Sequence, residues 1–158
     1  MPRAVEEYIR EARQSILELR SQQLRNRNLV SALRHAGEHL TGGGDIHFEL
    51  EVIGEPRTSS RRVEDELLRI GQEAINNAAR HANPSLIRVV VTYTAESIGL
   101  QISDDGCGFD HGLLVEAAGD HYGLISMRER AEEIGGSLEI TSRRNHGTDI
   151  RALVPLAA

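Results

Sequence analysis

Apolar residues along this chain change their spacing several times, from three and four to two and back again, and each change marks an element. From Ala4 to about Arg20, Val5, Ile9, Ala12, Ile16 and Leu19 recur at helical spacing between charged residues, which predicts a long amphipathic helix. It starts at Met1 almost without a cap, so the N-terminus reads as a cut through a longer element. After Arg25-Asn26-Arg27-Asn28, a second helical pattern runs through Leu29, Val30, Leu33, Ala36 and Leu40 and is stopped by Gly42-Gly43-Gly44. Ile46, Phe48, Leu50 and Val52 then alternate with His47, Glu49 and Glu51, the period of a strand with one buried face, which Gly54 and Pro56 close.

A capping serine, Ser59 or Ser60, opens a helix through Val63, Leu67, Ile70, Ala74 and Ala78 that ends near Asn83-Pro84. Ile87, Val89, Val91 and Tyr93 predict a strand, Ile98, Leu100 and Ile102 another, and Ala95-Glu96-Ser97 between them a hairpin turn. The stretch from Asp110 to Tyr122 is weakly periodic with Gly112 and Gly119, which suits a lid better than a core element. Leu124 to Ile134 reads as a helix ended by Gly135-Gly136. Leu138 and Ile140, then Ile150, Ala152 and Val154, form two strands around Arg143-Arg144-Asn145-His146-Gly147. This order predicts an α+β fold, a two-layer α/β sandwich with helices on one face of a mostly antiparallel sheet.

Composition removes several function classes. The 158 residues, 39% of them hydrophobic, suffice for one compact domain with an appended element. All 18 basic residues are arginine, so neither a P-loop nor the lysine phosphate clamp of a eukaryotic-type kinase is present. A net charge of −6 argues against direct nucleic-acid binding. Cys107 stands alone, which excludes an intrachain disulfide and a cysteine-pair zinc site and suits a reducing cytoplasm. No apolar run reaches the roughly 18 to 20 residues that span a bilayer, and no signal-peptide pattern opens the chain.

Two segments carry candidate chemistry. On the helix before the hairpin, Glu73, Asn77 and His81 recur every four residues and form one polar stripe beside Ala74 and Ala78. An asparagine carbonyl is a hard ligand suited to Mg²⁺, a glutamate can orient a metal-bound water or take a proton, and Arg80 or His81 can meet phosphate oxygens. An ordinary solvated helix face has the same pattern. The second segment is Asp104-Asp105-Gly106-Cys107-Gly108-Phe109-Asp110, at the end of an alternating strand. Calcium-loop spacing fails there, because Gly106 and Gly108 occupy ligand slots. A carboxylate at Asp104 can instead accept from the exocyclic amine of adenine, where guanine offers a carbonyl, and the glycines allow close backbone approach to a flat ring. Thr148 of Gly147-Thr148 is either part of a hairpin turn or a hydroxyl that orients Asp104 or a bridging water.

Gln72-Glu73-Ala74-Ile75-Asn76-Asn77-Ala78-Ala79-Arg80-His81-Ala82, Asp104-Asp105-Gly106-Cys107-Gly108-Phe109 and Gly147-Thr148 resemble, in order, the N box, first glycine box and closing Gly-Thr of bacterial two-component sensor histidine kinases, within the ATPase group that includes DNA gyrase B. Tyr122-Gly123-Leu124-Ile125-Ser126-Met127-Arg128-Glu129-Arg130-Ala131 resembles the subgroup of nitrate sensors and the membrane-fluidity sensor. The resemblance spans about Ser21 to Pro155 and implies a histidine kinase/gyrase B type sandwich. It implies an ATP-binding catalytic domain over 26–158, preceded over 1–25 by the end of the second helix of a dimerisation hairpin. It further implies ATP and Mg²⁺ as cofactors, with Asn77 on the metal and Glu73 on the acceptor imidazole or a metal-bound water. Arg80, His81, Asp104, Gly106, Gly108, Gly123, Leu124 and Thr148 would surround the nucleotide.

His121-Tyr122-Gly123 departs from the usual Gly-x-Gly of the second glycine box, so only Gly123 carries over, as a helix N-terminus aimed at phosphate, and His121 is read as a lid residue. The phospho-accepting histidine of the family has no counterpart, since His35 and His39 follow the long helix. The chain is therefore expected to be a cytoplasmic catalytic fragment of a homodimeric protein that phosphorylates upstream dimerisation helices and signals to a response regulator receiver domain, with anchoring of the full-length parent in the inner membrane left open. The rival readings are an anti-sigma-factor-type serine kinase and a nonenzymatic nucleotide-binding or dimerisation module.

Overall fold

A computed structural model describes residues 29–42, 44–57, 59–108 and 122–156. The helix expected over 4–20, and with it the 1–25 segment, lies outside these residues. So does the expected lid, except Tyr122, which begins a helix.

The described elements are α1 (Leu29–Thr41), β1 (His47–Ile53), α2 (Arg61–Asn77), a π-helical turn (Ala78–Ala82), β2 (Leu86–Tyr93), β3 (Ser97–Asp104), α3 (Tyr122–Glu133), β4 (Ser137–Ser142) and β5 (Thr148–Pro155). The strands form one sheet in the order β1-β2-β3-β5-β4. β1 and β2 are parallel, which the intervening α2 crossover permits, and the other three pairings are antiparallel.

Alternation along each strand separates two faces. Ile87, Val89, Val91, Ile98, Leu100 and Val154 point inward and are fully buried, and Leu33, Leu67, Ile70, Ile75 and Met127 of the three helices pack onto them as one core. β1 lies at the margin, with Phe48, Leu50 and Val52 only half-buried. The outer face carries polar pairs beside the exposed Ile53 and Leu153: Arg88 pairs with Glu51, the Gln101 amide donates to Asp149 at 2.8 Å, and Arg151 meets the same carboxylate at 2.8 Å. Helices on one face of a mixed, largely antiparallel sheet make the expected two-layer α+β sandwich. No helix among the described residues is long and apolar enough to cross a membrane.

Candidate functional site

α2 is set at its start by Ser60, whose hydroxyl accepts the Val63 N–H at 3.2 Å, a cap that contributes about 1 kcal/mol. The helix is regular as far as Asn77. It then widens into the π turn Ala78–Ala82, which Asn83 ends in the left-handed region at φ 48°. Glu73 and Asn77 thus sit one α-helical turn apart, but His81 lies in wider winding, so the three do not continue as a single α-helical stripe. Short π turns recur at functional sites because they shift the side chains beyond them by a fraction of a turn.

β3 approaches from the other side and ends at Asp104, the register partner of Ile87 on β2 and of Thr148 on β5. Its Oδ1 accepts the Gly106 N–H at 2.8 Å. Burial raises the Asp104 carboxyl above its ordinary value, while the nearby backbone N–H groups of Gly106 and Thr148 pull it down and the neighbouring Asp105 charge adds a smaller upward push. Of the two readings of Thr148, the structure favours the turn: its hydroxyl pairs with the Ser142 hydroxyl at 2.9 Å, and the Ser142 hydroxyl also donates to the Gly147 carbonyl. The donor that holds the Asp104 carboxylate is the Gly106 N–H, two residues further along the same chain.

The two glycines after Asp104 accommodate protein backbone. A Cβ on Gly106 would strike the carbonyl of Ala82, and Gly108, at φ +61°, lies against the carbonyl of Arg143. Cys107 between them donates its N–H to Ala82 O at 2.8 Å and accepts from the Asn145 N–H at 2.6 Å. The loop is therefore fastened to the end of the π turn on one side and to the β4–β5 turn on the other.

Between these walls lies a cavity of about 320 Å³. Ala74, Ala78, Ala82, Leu124 and Ile150 give it apolar surface, and Asn77, His81, Asp104 and Thr148 supply convergent polar groups, with Cys107 and Gly108 at the loop. An apolar slot with one acceptor at its end suits a flat heterocycle bearing a donor. Of the residues singled out from sequence, Asn77, His81, Asp104, Gly108, Leu124 and Thr148 meet here. Glu73 is half-buried one turn before Asn77, Arg80 is exposed and Gly106 is buried against Ala82, and these three stand outside the lining. Gly123 falls in the first turn of α3, next to the lining residue Leu124. Ala82, Cys107 and Ile150 were not anticipated as lining. Ile150 could have been found by extending the strand alternation that holds Ile102 and Ile150 opposite each other.

The sequence pattern of the family described as histidine kinase-, DNA gyrase B- and HSP90-like ATPases matches residues 62–158. The chain belongs to this ATPase family. It is also similar to the sensor histidine kinase LiaS of Bacillus subtilis, 34% identical over 146 residues that make up 92% of this chain and 39% of LiaS. DegS, a signal transduction histidine-protein kinase/phosphatase of the same organism, is 33% identical over 132 residues, covering 82% of this chain and 34% of DegS. The chain thus spans less than two fifths of either relative. The histidine kinase domain of the blue-light activated kinase from Erythrobacter litoralis EL346 shares the ATPase fold, with a TM-score of 0.65 and 19% identity over 81% of this chain and 64% of that one. The expected kinship with the catalytic domain of bacterial sensor histidine kinases holds: α2 from Arg62 onward, the Asp104 loop and the Thr148 strand all fall within the matched residues.

Proposed function

We propose that the chain is the ATP-binding catalytic domain of a sensor histidine kinase, which binds Mg²⁺-ATP and presents the γ-phosphate to a histidine imidazole on a dimerisation helix. The observation that carries this reading is Asp104. Its carboxylate is held by the Gly106 N–H in the lining of a largely apolar cavity, with an acceptor left to meet an adenine amine. Asn77, on the facing helix, is in position to offer its carboxamide oxygen to Mg²⁺. Asn77 would hold the metal through this oxygen, a hard ligand suited to magnesium.

The metal, when bound, supplies neutralisation of phosphate charge. The chain's own residues contribute position. Asp104 fixes the base, Leu124 and Ile150 exclude water from the ring, and the first turn of α3 at Gly123 offers unpaired N–H groups to phosphate. Gly106 and Gly108 let the loop pack closely, Thr148 lines the slot, Arg80 and His81 would meet phosphate oxygens, and Glu73 would orient the acceptor imidazole or a metal-bound water. Transfer then rests on alignment and electrostatics, with no covalent intermediate on this domain. In the parent protein the domain would act within a homodimer and the phosphohistidine would pass its phosphoryl group to a response regulator receiver domain.

The test is incubation with radiolabelled ATP, alone and with the two-helix dimerisation hairpin supplied as a separate polypeptide. The hairpin should acquire acid-labile, alkali-stable label, weakly because effective concentration is lost with the covalent link. A hairpin that stays unlabelled, or acid-stable label on a serine, would overturn the reading.

A further inference from the structure

Beside Asp104 stands a second carboxylate that the nucleotide reading does not use. Asp105 is exposed and is not part of the cavity lining. Its Oδ1 turns to the start of β2, where it accepts the N–H of Ser85 at 2.8 Å and of Leu86 at 2.9 Å. These two donors hold the Asp105 carboxyl below the ordinary carboxylate range, so the acceptor is ionised wherever the protein is handled near neutral pH.

The position of these bonds decides what they do. The ladder between β2 and β3 has its last register pair at Ile87 and Asp104. One residue further on, the Asp105 N–H reaches the Leu86 carbonyl only at 3.4 Å, and the chain then leaves the sheet at Gly106. A strand end with a single stretched bond frays, and here fraying would release the residue that carries the cavity's acceptor. The Asp105 side chain supplies two short bonds at that point. Ser85 also belongs to the short connection that leads from the π turn, with His81 and Ala82, into β2. One carboxylate therefore ties the helical wall of the cavity to its strand wall, alongside the Cys107 to Ala82 bond.

We infer that Asp105 is a positioning residue for base recognition: by joining the end of β3 to the Ser85-Leu86 turn it fixes the direction of the Asp104 carboxylate and the width of the slot beneath the π turn. The inference rests on the nucleotide reading above. It requires an acceptor oxygen at this site, not a negative charge, so an asparagine should serve where an alanine fails.

The experiment is calorimetry of the 158-residue chain with ADP and with inosine diphosphate, whose base carries a carbonyl in place of the adenine amine. Asp105→Ala should weaken ADP by about tenfold, in line with loss of the two hydrogen bonds that join the end of β3 to the Ser85-Leu86 turn, and should shrink the ratio of ADP to inosine diphosphate affinity. Asp105→Asn should stay within about twofold of the parent in both. Asp105→Glu keeps the charge but moves the acceptor outward by one methylene, and it should lose selectivity as the alanine does even if the alanine variant does not fold. A parent-like ratio in the Ala or Glu variant, or an Asn variant as impaired as Ala, would overturn the inference. Absence of ADP binding by the parent chain would instead overturn the nucleotide reading on which it depends.

Discussion

Asp104 and Thr148 stand opposite each other at the ends of β3 and β5, and both line the cavity. The acceptor at the head of the cavity is thus placed by sheet register and held by the Gly106 N–H at 2.8 Å. Substituting Thr148 can change the hydroxyl pair with Ser142 without removing that bond.

Adenine selectivity follows from an acceptor that has no donor of its own. Asp104→Ala should lower ADP affinity by at least about tenfold, the loss of one hydrogen bond to a charged group being about 1.5–3 kcal/mol. Calorimetry should show heat with ADP and little with GDP. Equal affinity for the two would remove Asp104 from base recognition.

Asn77 should govern magnesium more than base binding. In Asn77→Ala and Asn77→Asp, ADP binding without Mg²⁺ is expected to change little, while the gain on adding Mg²⁺ shrinks in the alanine variant. A titration of Mg²⁺ at fixed nucleotide reads this directly, and an unchanged magnesium response in the alanine variant would exclude the role.

The two adjacent carboxylates should respond to pH with opposite signs. Burial raises Asp104, so the folded state holds its proton more tightly than the unfolded chain, and its contribution to stability declines as pH rises from the unfolded value through the raised folded one. Asp105 is lowered by its N–H donors, so its contribution is present above the unfolded value and is lost as pH falls through the folded one. Urea unfolding from about pH 3 to about pH 7 should show Asp104→Asn gaining on the parent as pH rises and Asp105→Asn gaining on it as pH falls. A constant difference across this range in either variant would contradict the corresponding shift.

Gly106→Ala and Gly108→Ala should destabilise by different routes. The first forces a methyl against the Ala82 carbonyl; the second combines a clash at Arg143 with a left-handed backbone at φ +61°. Gly135→Ala has the strained φ of +77° but nothing within 4 Å, so it isolates the strain alone, about 1–2 kcal/mol. Thermal unfolding should rank Gly108→Ala below Gly135→Ala, and reversed ranks would show that the loop relaxes freely.

Periodicity alone made every described helix and strand visible, because burial on one face forces a spacing of two or of three and four. It could not reveal that β1 runs parallel to β2, since pairing direction leaves no mark on alternation in a strand such as Phe48-Leu50-Val52. Nor does it reveal that β5 enters between β3 and β4. The π turn was hidden because Ala78-Ala79-Arg80-His81-Ala82 has no residue that an α-helix would refuse. That Asp104, Asn77 and Gly108 would face one cavity was legible from motif spacing. Asp105 and Ser142 act through backbone or a neighbouring hydroxyl, contacts that exist only once the sheet is assembled.

The sheet order also bears on when the site comes into being during folding. β2 and β3 are joined by a short hairpin and can pair early, which places Asp104 on a formed strand end. β5 joins β3 only after the chain has passed through α3 and β4, so Thr148 is delivered by a long-range closure. Nucleotide affinity should therefore return after most of the secondary structure during refolding, and stopped-flow circular dichroism set against fluorescence of a bound adenine analogue would separate the two phases, unless both recover together. On this ordering the ligand binds only chains whose last strand is in place, and it slows unfolding by holding that strand against its neighbour.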